Sequence, residues 1–531
     1  MRSEGAPLHD LQHMQWIGDI PGRWSRERPD RAAIVLADQH QVITYRELDA
    51  HTHRFVEMMH ARGIEAGDRI AYLGRNSDLY FVALFGCIAG GFVLLPLNWR
   101  CAAPELTFML TDARARLAVC DAEFEPVLRD AMAGAAPLTH LDILHTEGRD
   151  SLRGGLATAP SRQFPVPHDP HQVCVQMYTS GTTGRPKGVL STHGGFSYAR
   201  HAELISRDWA NWNSDDVIVS PLPNFHNGGM SWMLIGLVRG LKCVLIADAS
   251  VAHILDVIEE HAVTRTFIVP TVIRAALDLL KESGRKPPRI RTITYGAAVM
   301  SEPLLREAID VLGCEFGQYY GMTEATGTVT FLSARDHDLN RPHLLKSVGR
   351  PQCGMAVEIR DEKGAVLPAN LPGEIWVRTP TLMPGYANLP EVTAAAIVDG
   401  WYRTGDGGYL DADGYLYLTD RIRDMIISGG ENIYPAEVEA ALREHPAVFE
   451  SAVVGFPDEK WGERVVAFVQ LRPGATVQAE ALIAFAAQNI ARFKCPKIVR
   501  FVEAFPRTPL GKIQRAILRR QAPDLPTTTP G

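Results

Sequence analysis

The sequence predicts an α/β fold. A large N-terminal domain of doubly wound α/β subdomains and a β-rich subdomain precedes a small α+β domain at the C-terminal end. Three observations lead there. Short β-rich apolar runs alternate with helical patterns over most of the chain, the signature of strands covered by helices on both faces. After about Leu371 the pattern turns to antiparallel β structure, with "PGEIWVRTP" and "GWYRTGDGGYLDADGYLYLTDR" punctuated by glycine turns. From Pro435 a compact helix–strand–strand–helix–strand run follows, so a boundary is placed at Asp420–Arg421, giving domains 1–420 and 421–531.

The elements follow in order. "AAIVLA" and "QVIT" flank a turn, and a helix begins after Thr44, where Glu47 has capping-box spacing and Gly63 supplies a stop. The uncharged stretch from Phe81 to Trp99 is almost long enough to span a bilayer, but Gly90, Gly91 and Pro96 divide it. It reads as a buried helix ending near Ala89, a glycine turn and a buried strand, not as a membrane span. Lys242–Asp248 is a strand, His253–His261 an amphipathic helix, and Arg265–Thr271 and Ile290–Gly296 are further strands. In the last domain, Pro435–Pro446 and Ala479–Asn489 are helical, and "ESAVVGF", "ERVVAFVQLR" and "KIVRFV" are strands. The tail "PDLPTTTPG" has the composition of disorder.

With 531 residues, 46% of them hydrophobic, the chain has material for several buried cores. Its formal net charge of −7 argues against a nucleic-acid partner, which would call for a basic face. Small anionic ligands remain compatible, because a local patch can oppose the global sign. The eight cysteines are widely spaced with no C-x-x-C pair, which fits reduced thiols in a cytoplasmic protein better than disulfides or a zinc site. The N-terminus carries acids and no long apolar run, unlike a signal peptide.

The stretch "YTSGTTGRPKGV" (Tyr178 to Val189) is locally cationic and rich in hydroxyls and glycine. Glycines let backbone N–H groups turn toward an anion, and the hydroxyls and cations suit a polyphosphate. It is not a Walker A loop, since Lys187 is followed by Gly188, and composition alone would equally describe a polar surface loop. The stretch resembles the phosphate loop of the adenylate-forming superfamily, which includes acyl-CoA synthetases, luciferase and peptide-synthetase adenylation domains. Five further motifs resemble that superfamily's in the expected order: "LPNFHNGG", "YYGMTE", "YRTGD", "DRIRDMIISGGENIYPAEVE" and "PRTPLGKIQR". On these six motifs the chain is identified as similar to AMP-forming acyl-CoA synthetases over nearly its whole length.

The resemblance implies ATP, Mg2+ and coenzyme A as cofactor and co-substrates, and it implies residue roles. Thr179, Ser180, Gly181, Thr182, Thr183, Gly184 and Lys187 would surround the β- and γ-phosphates. Glu324 would hold the magnesium, a hard cation served by one carboxylate plus phosphate and water oxygens. Thr323 would bond the α-phosphate, and Tyr320 would face the adenine, with Gln318, Tyr319, Gly321 and Met322 beside it. Asp406 would accept from the ribose hydroxyls, and Arg421 would make a second nucleotide contact. Lys512 would bridge the carboxylate and α-phosphate where two anions meet, a preorganised charge worth roughly 10²–10³ in rate. Arg423 occupies the hinge position, where the family commonly has Asp or Lys. Rotation of a mobile C-terminal domain about it would replace Lys512 by Gly429, Gly430 and Glu431 at the acyl-adenylate. His226 would guard the acyl pocket or the thiol tunnel, as a binding residue and not as a base.

The pocket would lie among Asn224–Gly229, Gly296–Met300 and Gln318–Thr323, with Gly296 and Ala297 supplying room. These stretches hold no acidic residue, so an amino-acid substrate lacks an ammonium partner, and a fatty, aryl or cyclic acid is expected. "SGGENIYPAEVE" resembles the acyl-CoA synthetase version of its segment, and the chain ends soon after Lys512 with no carrier domain. Both favour free CoA as acceptor. A carrier protein, oxygen, or a nucleotide-sensing module without catalysis are the competing readings. A homodimer is compatible with this reading, and a transmembrane segment is not expected.

Overall fold

The computed structural model describes residues 15–133, 141–148, 150–160, 162–179, 186–206, 212–247, 249–297, 300–421, 426–428, 431–433, 435–458, 461–490, 492–507 and 513–521. Two mostly parallel sheets dominate. The larger has nine strands in the order Arg350–Pro351, Gly327–Leu332, Glu315–Met322, Thr292–Gly296, Arg265–Ile268, Val217–Ser220, Lys242–Leu245, Ala32–Leu36 and Gln41–Thr44. The second has six: Asp142–His145, Ala115–Cys120, Arg69–Leu73, Val93–Pro96, Val173–Thr179 and Lys187–Thr192. Parallel neighbours need crossover connections, and the helices between these strands supply them. This is the doubly wound α/β architecture that the alternation predicts.

The local signals explain the elements. Thr44 caps the helix Tyr45–Ala61 reciprocally: its Oγ1 accepts from the Glu47 amide at 3.2 Å, and its own amide donates to the Glu47 carboxylate at 2.7 Å. The stretch that imitates a membrane span is the helix Asp78–Gly90, buried on every side, closed by Gly91 at φ 73° and followed by the strand Val93–Pro96. Among the described residues, no helix is long and apolar enough to cross a membrane. Two strand expectations ran too far, and the strand from Lys242 ends at Leu245. The strand from Arg265 ends at Ile268, because Pro270 opens the helix Pro270–Ser283. Proline cannot donate to a ladder, but its fixed φ suits a first helical position.

A third sheet of five strands takes Ala356–Arg360, Gly373–Arg378, Trp401–Leu410 and Ile397–Val398 in that order, with Leu416–Arg421 against Trp401–Leu410. The chain divides into two compact units. The first is Met1–Val357, Val377–Tyr402 and Gly414–Leu416; the second is Glu358–Trp376, Arg403–Asp413 and Tyr417–Gly531. Within the second, strands Glu431–Ile433, Ile426–Ser428, Gly462–Leu471 and Val448–Asp458 lie in that order, with Ile498–Phe501 beside Gly462–Leu471. Helices Pro435–Arg443 and Ala479–Asn489 pack on this sheet around a core of Ile426, Val438, Leu442, Val465 and Leu482. The tail "PDLPTTTPG" lies outside the described residues.

Candidate active site

In the first unit two antiparallel strands flank the glycine- and threonine-rich stretch. Val173–Thr179 and Lys187–Thr192 pair antiparallel, and Thr179 stands opposite Lys187 as the closing pair. Ser180, Gly181, Thr182, Thr183 and Gly184 lie outside the described residues. The stem is anchored from below: the Tyr178 hydroxyl donates to the Asp112 carboxylate at 2.6 Å, and burial pushes that phenol up. A second segment runs alongside. The Ala387 amide donates to the Gly188 carbonyl at 2.7 Å, the Leu190 amide donates to the Gly385 carbonyl at 3.2 Å, and Val189 bridges Tyr386. The Lys187 ammonium thereby sits 4.5 Å from the centre of the Tyr386 ring.

The same segment braces the "YYGMTE" motif. The strand Glu315–Met322 carries Gln318, Tyr319, Tyr320, Gly321 and Met322 with alternating faces. Gln318 is buried and accepts from the Tyr295 hydroxyl at 3.2 Å, while the Tyr319 ring stands 5.5 Å from Phe267 and 5.2 Å from Phe331. At Gly321 any side chain is excluded, since a Cβ would fall 2.0 Å from the Gly327 carbonyl oxygen. The strand ends in a single tight turn, Thr323–Ala325, with Thr326 in the left-handed region at φ 53°. Hydroxyls and amides hold that turn. Thr381 donates its Oγ1 to the Ala325 carbonyl and accepts at its own carbonyl from Thr326, both at 2.7 Å. The Met383 amide donates to the Glu324 carbonyl at 2.8 Å, and the Tyr386 hydroxyl reaches Glu324 Oε1 at 3.0 Å. The Tyr402 hydroxyl stands 3.2 Å from that of Tyr386. Lys187 and Glu324 therefore meet on one tyrosine.

That geometry fits a magnesium–phosphate site. The Glu324 carboxylate is half-buried, and Tyr386 engages one of its oxygens. Among the described residues no group of three or more His, Cys, Asp or Glu could hold a metal. A single carboxylate completed by phosphates and water is the usual magnesium arrangement at a nucleotide.

His226, Gly296 and Ala297 stand at a helix start and a strand end. His226 precedes the helix Asn227–Val238 and packs its ring 4.5 Å from Phe225. Its Nε2 is buried with no hydrogen-bond partner among the described residues. Burial, assisted by the Arg100 charge, holds the imidazole down at about 4, so it is neutral at neutral pH. Gly296 ends the strand Thr292–Gly296, where a Cβ would meet the Tyr319 carbonyl oxygen at 2.7 Å and the Phe267 ring at 3.3 Å. Ala297 follows, exposed and left-handed at φ 62°. Behind them Trp232, Phe267, Tyr319 and Phe331 form a continuous aromatic row. Deeper still, Arg200 pairs with Glu203, each 1% exposed, and Trp212 lies between Arg239 and Arg265.

In the second unit Asp406 lies on the strand Trp401–Leu410, its amide donating to Thr404 Oγ1 at 3.0 Å. Arg421 ends the strand Leu416–Arg421, and Glu431 begins Glu431–Ile433 opposite Ser428. Arg423, Gly429, Gly430 and Lys512 lie outside the described residues. On either side of the Lys512 segment Arg507 bridges Ile513, and the Gln514 amide donates to the Pro506 carbonyl at 2.8 Å.

Sequence reasoning missed Tyr386, Tyr402 and the threonine brace. "GYANLPE" contains no pattern that announces a partner 62 residues upstream.

Comparison with known proteins decides the family. The model described as "AMP-binding enzyme" matches residues 22–387, and that of the "AMP-binding enzyme C-terminal domain" matches 437–512. The chain belongs to the AMP-binding enzyme family. As an AMP-binding enzyme it is a member of the adenylate-forming superfamily and an adenylate-forming ligase. It is 38% identical over 516 residues to the fatty acid–[acyl-carrier-protein] ligase ScoC of Streptomyces coeruleorubidus, covering 96% of this chain and 97% of that one. It is 34% identical over 514 residues to a feruloyl-CoA synthase of Amycolatopsis sp, covering 96% and 99%. Among solved structures, the o-succinylbenzoate CoA synthetase MenE of Bacillus subtilis with its acyl-adenylate OSB-AMP gives a TM-score of 0.84 at 31% identity, covering 96% and 99%. The same synthetase with ATP and magnesium ion gives 0.83 at 30%, covering 95% and 99%.

Proposed function

We propose that this AMP-binding enzyme joins a hydrophobic carboxylic acid, fatty, aryl or cyclic, to coenzyme A in two half-reactions. In the first, the carboxylate attacks the α-phosphorus of ATP, forming the acyl-adenylate and releasing pyrophosphate. In the second, the CoA thiolate attacks the acyl carbon and AMP leaves. The observation that carries the reading is the convergence of Lys187 and Glu324 at the stem of the hydroxyl-rich hairpin, a cation and a metal-binding carboxylate placed for one triphosphate. Thr179 to Gly184 line the phosphates with Lys187, Thr323 bonds the α-phosphate, and Glu324 holds magnesium, whose charge neutralises the phosphates. Tyr320, with Gln318, Tyr319, Gly321 and Met322, forms the adenine strand. Asp406 and Arg421 hold the ribose. Lys512 supplies the cation between carboxylate and α-phosphate.

The functional division falls at 420/421. Segment 421–531 pivots at Arg423 and presents Lys512 for adenylation, then Gly429, Gly430 and Glu431 for thioester formation. His226, neutral and half-buried, shapes the path between acyl pocket and thiol; the carboxylate is already an anion and the thiol ionises easily, so neither asks for a base from it. Eight widely spaced cysteines, read as reduced thiols, support a cytoplasmic location. Light scattering decides between a monomer and the homodimer.

A second acceptor is favoured by one observation, the 38% identity to a ligase named for an acyl-carrier protein. The test uses a panel of carboxylic acids with ATP and Mg2+, given CoA in one arm and a phosphopantetheinylated carrier protein in the other. Acyl-CoA formation is the expected result. Acid-dependent pyrophosphate exchange with thioester on the carrier alone would assign the second acceptor, and no exchange with any acid would overturn the ligase reading.

A further inference from the structure

The segment from Thr379 to Ala387 carries none of the adenylation groups described above, yet it touches two of them. Its threonines and the Met383 amide fix the backbone of the Thr323–Ala325 turn. Its last residues extend the Lys187–Thr192 strand by main-chain bonds at Gly188 and Leu190. Between these two attachments stands Tyr386, 5% exposed. Its hydroxyl donates to Glu324 Oε1, and its ring lies under the Lys187 ammonium. Two features of this contact are chemically distinct. The hydroxyl engages one carboxylate oxygen and so restrains the direction of the other. The ring attracts the cation through its quadrupole and so fixes where the ammonium stands, with no negative charge to neutralise it.

We propose that Tyr386 is a positioning residue that sets the metal-binding carboxylate and the phosphate-loop lysine relative to each other. Its hydroxyl tunes the affinity for the divalent cation and its ring tunes the affinity for the triphosphate. The inference rests on the reading of Glu324 as magnesium ligand and Lys187 as phosphate ligand. Supporting groups that orient a metal ligand typically change metal affinity by 10–100-fold when removed. The Tyr402 hydroxyl, 3.2 Å from that of Tyr386, restrains the phenol and fixes its direction.

The two functions separate by substitution. Tyr386→Phe keeps the ring and removes the hydroxyl; Tyr386→Leu removes both. Metal binding is read directly by electron paramagnetic resonance of free Mn2+, titrated into full-length enzyme with α,β-methylene-ATP, a probe that cannot form the adenylate. Nucleotide binding without metal is read by calorimetry, and Glu324→Gln serves as the reference. Tyr386→Phe is expected to weaken Mn2+ binding about tenfold, with metal-free nucleotide affinity within twofold of wild type. In steady state the half-saturating Mg2+ concentration rises while kcat at saturating Mg2+ falls by less than threefold. Tyr386→Leu is expected to weaken the metal-free nucleotide about fivefold in addition. Wild-type Mn2+ affinity in Tyr386→Phe, beside a clear loss in Glu324→Gln, overturns the positioning role and leaves the magnesium reading standing. Wild-type Mn2+ affinity in Glu324→Gln overturns that reading itself. Circular dichroism and melting of Tyr386→Phe identify a folding defect. A loss of metal binding that tracks lost structure, and is not restored at a temperature where the variant is folded, counts against the proposal.

Discussion

Lowering the pH should destabilise this protein through His337, and the structure supplies the size of the effect. His337 is 8% exposed. Its Nδ1 lies 2.8 Å from the Ser333 carbonyl, which fixes the proton on Nδ1, and its Nε2 lies 3.1 Å from the Tyr295 hydroxyl. Burial lowers its pKa from an ordinary 6.5 to about 4, with the Ser333 carbonyl and Asp336 acting in the opposite direction. The unfolded chain therefore binds a proton that the folded chain refuses, between those two values. Stability from this group is complete above 6.5 and is lost as the pH falls toward 4. Linkage puts the loss at about 2 kcal/mol between pH 7 and pH 5, and about 3 kcal/mol by pH 4. The assay is urea unfolding followed by tryptophan fluorescence at pH 7 and pH 5, at constant ionic strength, for wild type and His337→Gln. The variant starts less stable, because it disturbs Ser333 and Tyr295, but its pH dependence should be shallower by about 2 kcal/mol over that interval. Equal pH dependence in the two proteins would refute a buried neutral imidazole as the cause.

Two further outcomes follow from the same reasoning. Lys512→Ala should lower adenylate formation by roughly 10²–10³, measured as pyrophosphate exchange, while a supplied acyl-adenylate is still converted to thioester; equal loss in both half-reactions contradicts a cation used only in the first. Glu203→Leu leaves Arg200 charged and 1% exposed, so urea unfolding should show a loss of about 3–5 kcal/mol, and Arg200→Leu with Glu203→Leu together should recover much of it.

What could be read from the sequence was whatever a few neighbouring residues decide. The Thr44–Glu47 box is a matter of two side chains reaching across one turn. The helix Asp78–Gly90 declares itself because Gly90-Gly91 and Pro96 divide the apolar run into pieces too short to span a bilayer. The strand ending at Ile268 was overextended for an equally local reason: Val269 is held extended by Pro270 and so imitates one more strand residue. The motifs placed Lys187 and Glu324 in one site before any geometry was known. What stayed hidden is long-range and directional. Arg200 and Glu203 look like one polar edge of a helix, yet both are sealed in the core beside Arg239. Nothing in a tyrosine's neighbours tells whether its hydroxyl will find a carboxylate 62 residues away.

The described ends of the motif loops share a design that has a physical reason. Thr179 pairs with Lys187, Ser428 with Glu431, and Arg507 with Ile513, so three of the six motif segments are flanked by an antiparallel pair. A backbone N–H that is to bind phosphate, or a glycine that is to let a thiol arm pass, cannot also be spent in a ladder. Such groups must stand at a turn, yet catalysis needs them held to within fractions of an ångström. The flanking pairs answer the second demand by fixing the chain on both sides of the motif segment. Motif residues at the tips therefore decide which chemistry is performed, and residues beside the stems decide where the tips are held. Tyr386, alongside the first stem and against Glu324, belongs to the second kind, which is why its substitution should move affinities for metal and nucleotide more than the rate of the chemical step.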